Sequence, residues 1–149
     1  MAGTPRFPVS RFPFPHLLSC CAALAWISGP VGPVHALGDA FNYRCVLTGA
    51  QEVGPVATTA FGGGELLIDT VANTVTYRIV VFGLGSPQTG AHIHGMAGPG
   101  ANAGILHGLP PGNPKVGVWN FAESQQADIL AGRTYVNVHS FLNPTGEIR

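Results

Sequence analysis

Alternation with a period of two residues is the feature that most constrains this chain. From Phe41 to Thr48, Phe41, Tyr43, Cys45 and Leu47 fall on one side of an extended backbone, with Asn42, Arg44 and Thr48 on the other. The period returns from Gly64 to Thr70, where Leu66 and Ile68 oppose Leu67 and Asp69. It returns again from Thr74 to Phe82, where Val75, Tyr77, Ile79 and Val81 alternate with Thr74, Thr76 and Arg78. Ala72-Asn73 between the last two runs reads as a hairpin turn, because Asn tolerates a left-handed backbone. Ala91 to His94, Ile105-Leu106, Val116 to Phe121, Thr134 to Ser140 and the start of a last strand at Glu147 complete the series. A single short helix is predicted near 125–131, with Ser124 as N-cap and Gly132 just past its end. Parallel α/β architecture needs long crossover helices, which this pattern lacks. The prediction is an all-β, antiparallel sandwich or partly closed barrel.

Strand parity also gathers the chemistry. In Gly90-Ala91-His92-Ile93-His94-Gly95, His92 and His94 point one way and Ile93 the other. In Tyr135-Val136-Asn137-Val138-His139-Ser140, Tyr135, Asn137 and His139 share a face opposite Val136 and Val138. If the two strands pair, the apolar residues face a core and three imidazoles stand on the surface. Two readings follow. His-x-His with a third imidazole from a neighbouring strand makes a three-histidine set for copper or zinc. Alternatively, the histidines are a polar scaffold that hydrogen-bonds to backbone and to Tyr135, Asn137 or Glu147.

The first 36 residues read as a secretory signal peptide. Arg6 and Arg11 form its positive start, Leu17 to Ser28 an apolar run, and Val34-His35-Ala36 a cleavage site before Leu37. Two alternatives stand beside it: a lipoprotein signal at Leu17-Leu18-Ser19-Cys20, and a retained anchor, against which the apolar run is short. Residues 37–149 fit one small domain. That domain keeps five basic and seven acidic residues, and with no basic patch it is expected to bind neither nucleic acid nor, once the signal is removed, a membrane. Cys45 is its lone cysteine, on the apolar side of its strand, and reads as a buried inert thiol.

Four segments occur in an order that resembles a known family. They are LTGAQEVGPVATTAFG (Leu47 to Gly62), AHIHG (Ala91 to Gly95), LAGRTYVNVHS (Leu130 to Ser140) and NPTGEIR (Asn143 to Arg149). Together they resemble the CHRD domain, named from chordin and widespread in bacterial secreted proteins, over roughly residues 41–149. The resemblance implies an immunoglobulin-like sandwich or barrel, with a limited likeness to copper–zinc superoxide dismutases. It also implies a secreted or periplasmic module, expected to be a non-enzymatic domain that binds an extracellular protein or matrix. The alternative expectation is a copper- or zinc-binding protein, with a weaker redox role, that uses His92, His94 and His139. The family pattern usually continues past the final arginine with Gly-Gln and an apolar residue, so the last strand is expected to be short or frayed.

A dinuclear dismutase site uses six histidines and an aspartate, whereas only His92, His94, His107 and His139 follow residue 36. His107, beside a Gly/Pro stretch, reads as a loop residue. Glu147 and Arg149 share a face and read as a structural ion pair that orients the histidines. No residue is assigned a catalytic role. The glycine-rich 95–104 segment lacks Gly-Lys-Ser/Thr, and no Gly-x-Ser-x-Gly elbow occurs.

Overall fold

β-Branched and aromatic residues in alternation build two antiparallel sheets, because each run can bury one face against the other sheet. The computed structural model describes residues 40–149. The expected signal peptide and cleavage site lie outside the described residues. The strands are β1 (Ala40–Thr48), β2 (Phe61–Asp69), β3 (Thr74–Phe82), β4 (Gln88–Gly95), β5 (Ile105–Gly108), β6 (Lys115–Asn120) and β7 (Thr134–Ser140). One sheet has the order β1-β2-β3-β6 and the other β5-β4-β7. The inner faces meet in a core that includes Ile68, Val75, Ile79 and Trp119 from the first sheet and Ile93, Val136 and Val138 from the second. This is the expected β-sandwich.

The turns follow local chemistry. Asn73 takes φ 54° in the β2–β3 hairpin, as its side chain permits. Asp69 Oδ1 accepts from the Val71 and Ala72 N–H groups, which closes that turn. The helix differs from the expected one in its start. Glu123–Gln125 is a 3-10 turn and α1 spans Gln126–Leu130. Ser124 is not its cap; Gln125 Oε1 instead accepts from the Ala122 N–H at 2.9 Å. Lys115 follows the inward parity of Trp119 and is 1% exposed. Its Nζ donates to the Gly112 carbonyl at 2.8 Å.

The expected last strand is reduced to a single bridge at Ile148 flanked by backbone hydrogen bonds. Val138 bridges to Ile148 on one side. On the other, Thr48 N–H donates to Arg149 O at 3.0 Å and Arg149 N–H to Thr48 O at 3.2 Å. The 147–149 segment therefore joins the end of β1 to β7 and ties the sheets along one side, while a closed barrel does not form. Ile148 and Glu147 are fully buried. His107 is also corrected. It sits on β5 opposite Ile93, and its Nε2 lies 3.1 Å from the Tyr77 hydroxyl, inside the sandwich and away from the other histidines.

Candidate metal centre

The register of β4 and β7 sets the site. His94 lies opposite Tyr135, His92 opposite Asn137, and Gly90 opposite His139. Because side chains alternate, these residues share the outer face of the β5-β4-β7 sheet while Ala91, Ile93, Val136 and Val138 fill the core. The three imidazoles form a triangle. Ring centroids lie 5.0 Å apart for His92 and His139, 5.6 Å for His92 and His94, and 6.0 Å for His94 and His139.

One ligand atom from each histidine lies within 4.8 Å of the others. A tetrahedral ion with metal–nitrogen bonds of ~2.0–2.1 Å holds its ligand nitrogens about 3.4 Å apart. At the 4.8 Å limit, the rings would have to turn to hold such an ion. His94 Nδ1 sits 3.0 Å from the Ala103 carbonyl and His139 Nδ1 sits 3.1 Å from the Pro144 carbonyl. A carbonyl only accepts, so each Nδ1 carries the proton and each Nε2 keeps a lone pair. Those Nε2 atoms, with Nδ1 of His92, are buried and have no hydrogen-bond partner. Buried ring nitrogens are normally satisfied, so three such atoms in one cluster fit an absent electron-pair acceptor. No ring is held by carbonyls on both nitrogens, and the backbone bonds of His94 and His139 are those expected of a polar scaffold as well.

The electrostatics favour the same state. Burial pushes His92 below the ordinary histidine range, and the neighbouring His139 and His94 push it further. Burial does the same to His139 more strongly than its bond to Pro144 opposes. Neutral imidazole is the form that binds a metal.

A supporting layer surrounds the rings. Tyr135 stacks on His94 with centroids 5.1 Å apart and planes at 9°. The Arg149 guanidinium lies 3.4 Å from the Tyr135 ring centroid, so Tyr135 sits between cation and imidazole. The Tyr135 hydroxyl accepts from the Ala103 N–H at 3.0 Å. Ala103 thus joins two residues of the stack, and the glycine-rich connection before β5 becomes a clamp on the His94 tautomer. Glu147 and Arg149 do not form the expected pair. Glu147 Oε1 accepts from Thr58 Oγ1 at 2.7 Å and the Gly85 N–H at 2.8 Å. Arg149 instead acts on Glu52, whose carboxyl is raised by burial and lowered by that charge. Asn137 Nδ2 donates to Glu52 Oε2 at 3.4 Å beside the histidines.

Sequence reasoning missed Gly90. A Cβ there would stand 3.1 Å from His92 Cε1 and 3.9 Å from His139 Cδ2. Its parity with His92 and His94 was the available signal. The carbonyl clamps of Ala103 and Pro144 had none, because any residue supplies a backbone oxygen.

A family model, the CHRD domain, matches residues 43–149. No curated protein and no solved structure matches the chain.

Proposed function

This chain belongs to the CHRD domain family, and from that premise we propose that it is an exported module that holds one copper or zinc ion at His92, His94 and His139. The observation that carries this reading is the clustering of three imidazoles, one ligand atom of each within 4.8 Å of the others, each ring having a buried nitrogen without a partner. The donor set is all nitrogen. Imidazole suits both metals, and the general affinity order places Cu(II) above Zn(II). Three protein ligands leave a coordination position for water or an outside ligand. The reading assigns binding rather than turnover.

Elemental analysis of protein purified with each metal supplied tests this reading. Wild type should carry about one equivalent and His94→Ala far less. No stoichiometric copper or zinc in wild type, or equal metal in both proteins, would end it. Export rests on the charge and apolar run of residues 1–36. Among the described residues, no helix is long and apolar enough to cross a membrane. Mass analysis of the exported protein should give a chain that starts at Leu37; one that starts at Met1 contradicts the cleavage reading.

A further inference from the structure

The outer face of the β1-β2-β3-β6 sheet lies on the far side of the sandwich from the histidines. It is unusually apolar for a surface. Val46, Phe61, Leu67, Phe82, Val116 and Val118 are 40–69% exposed. Phe61 and Phe82 stack there with centroids 5.2 Å apart. Exposed apolar side chains gathered on one face in this number mark an interaction surface. One charged row crosses it, in which Arg44 pairs with Glu65 in register and Glu65 with Arg78. Arg44 and Glu65 are in contact at 3.2 Å, and both side chains are exposed to solvent.

We propose that this face packs against the same face of a second copy of the chain, about a twofold axis that runs parallel to β2 and β3 and between them. Such an axis preserves position along the strands and exchanges β2 with β3. Each β2 residue then meets, in the other copy, the residue that is its own register partner on β3. Those partners are Phe61 with Phe82, Gly63 with Val80, and Glu65 with Arg78. Across the axis, Glu65 of one copy faces Arg78 of the other, twice over. Val80 faces the bare backbone of Gly63, so bulk meets space. The two Phe61–Phe82 stacks meet in one aromatic cluster.

Opposite charge against opposite charge and side chain against gap therefore arise from the symmetry itself, which is why the occupant is a second copy. At ~4.8 Å between strands and ~3.4 Å per residue, the face measures about 19 by 30 Å, so two copies cover on the order of 1,100 Å². That lies at the lower end of specific interfaces, which corresponds to a dimer that dissociates on dilution.

The test is sedimentation velocity of the purified protein over a micromolar to millimolar series. Wild type should shift from monomer to dimer as concentration rises. Glu65→Arg and Arg78→Glu, each folded by circular dichroism, should stay monomeric, because each places like charges across the axis. Their equimolar mixture should dimerise again, since each copy then offers what the other lacks. Loss of a contact within one chain cannot produce that recovery. Leu67→Lys, central on the face, should also remain monomeric and serves if a charge variant fails to fold.

Wild type that stays monomeric overturns the proposal, whether the face is bare, covered by residues 1–39 or kept for another partner. A mixture that stays monomeric while wild type dimerises places the dimer on another face and overturns it too. A Leu67→Lys protein that dimerises like wild type does the same.

Discussion

At the residue scale, what matters is which ring nitrogen is left free. The Ala103 carbonyl takes the His94 Nδ1 proton, and the Tyr135 hydroxyl holds Ala103 from the other side. Tyr135→Phe keeps the stack on His94 but releases the loop. Partners of this kind typically change metal affinity ~10–100-fold when removed, so calorimetric titration should show a loss in that range with one equivalent still bound. Gly90 tests the space between rings rather than their bonds. Gly90→Val places a branched side chain where a Cβ alone would already crowd His92. Its affinity should fall while its melting temperature without metal changes little; an unchanged affinity would show that the rings do not need that gap. Strand parity made the trio legible, because it fixes sides without tertiary information. The clamps were illegible, since they depend on where loops 97–104 and 141–146 return.

The 147–149 segment carries the argument at the element scale. It reads in sequence as a strand that starts and stops, with a pair of charges on one side. In the fold it stitches β1 to β7, and its charges part company. Glu147 turns to Thr58 and Gly85, and Arg149 turns to Tyr135 and Glu52. Parity read Glu147 and Arg149 as neighbours on one side, but it could not show which loops wait for each. Burial pushes the Glu147 carboxyl up, yet the polar groups around it, the Gly85 N–H and the Thr58 hydroxyl among them, hold it below its ordinary value. A depressed carboxyl contributes stability above its unfolded pKa, and that contribution disappears as pH falls through the folded value. Urea melts should thus show wild type losing stability below the ordinary carboxylate range. Glu147→Gln should be less stable at neutral pH by ~1–3 kcal/mol and should show a flatter acid limb. Ile148→Ala, in a fully buried site, should cost about 2–5 kcal/mol.

On the scale of the whole molecule, the sandwich separates two surfaces. One sheet shows a polar, histidine-bearing face and the other an apolar one, with the core between them. The architecture was legible because the two-residue period and the lack of long helices leave few alternatives. His107 was not, since the Gly/Pro-rich neighbourhood hid that the strand expected at Ile105-Leu106 runs on through His107, which turns its ring towards Tyr77 and Trp119. Because the proposed ligands come from β4 and β7, an ion that binds only the folded state should stabilise the whole domain. At a hundredfold excess over Kd that is ~2.7 kcal/mol, which raises Tm on the order of 10 °C. His94→Ala should show no such rise in a calorimetric scan. The central claim is tested most directly by X-ray absorption at the copper or zinc edge of the loaded protein. The account predicts a first shell of nitrogen and oxygen near ~2.0–2.1 Å with the outer-shell scattering of three imidazoles. A sulfur shell near ~2.3 Å, which would place the ion on Cys45, or a shell without imidazole scattering, would contradict it.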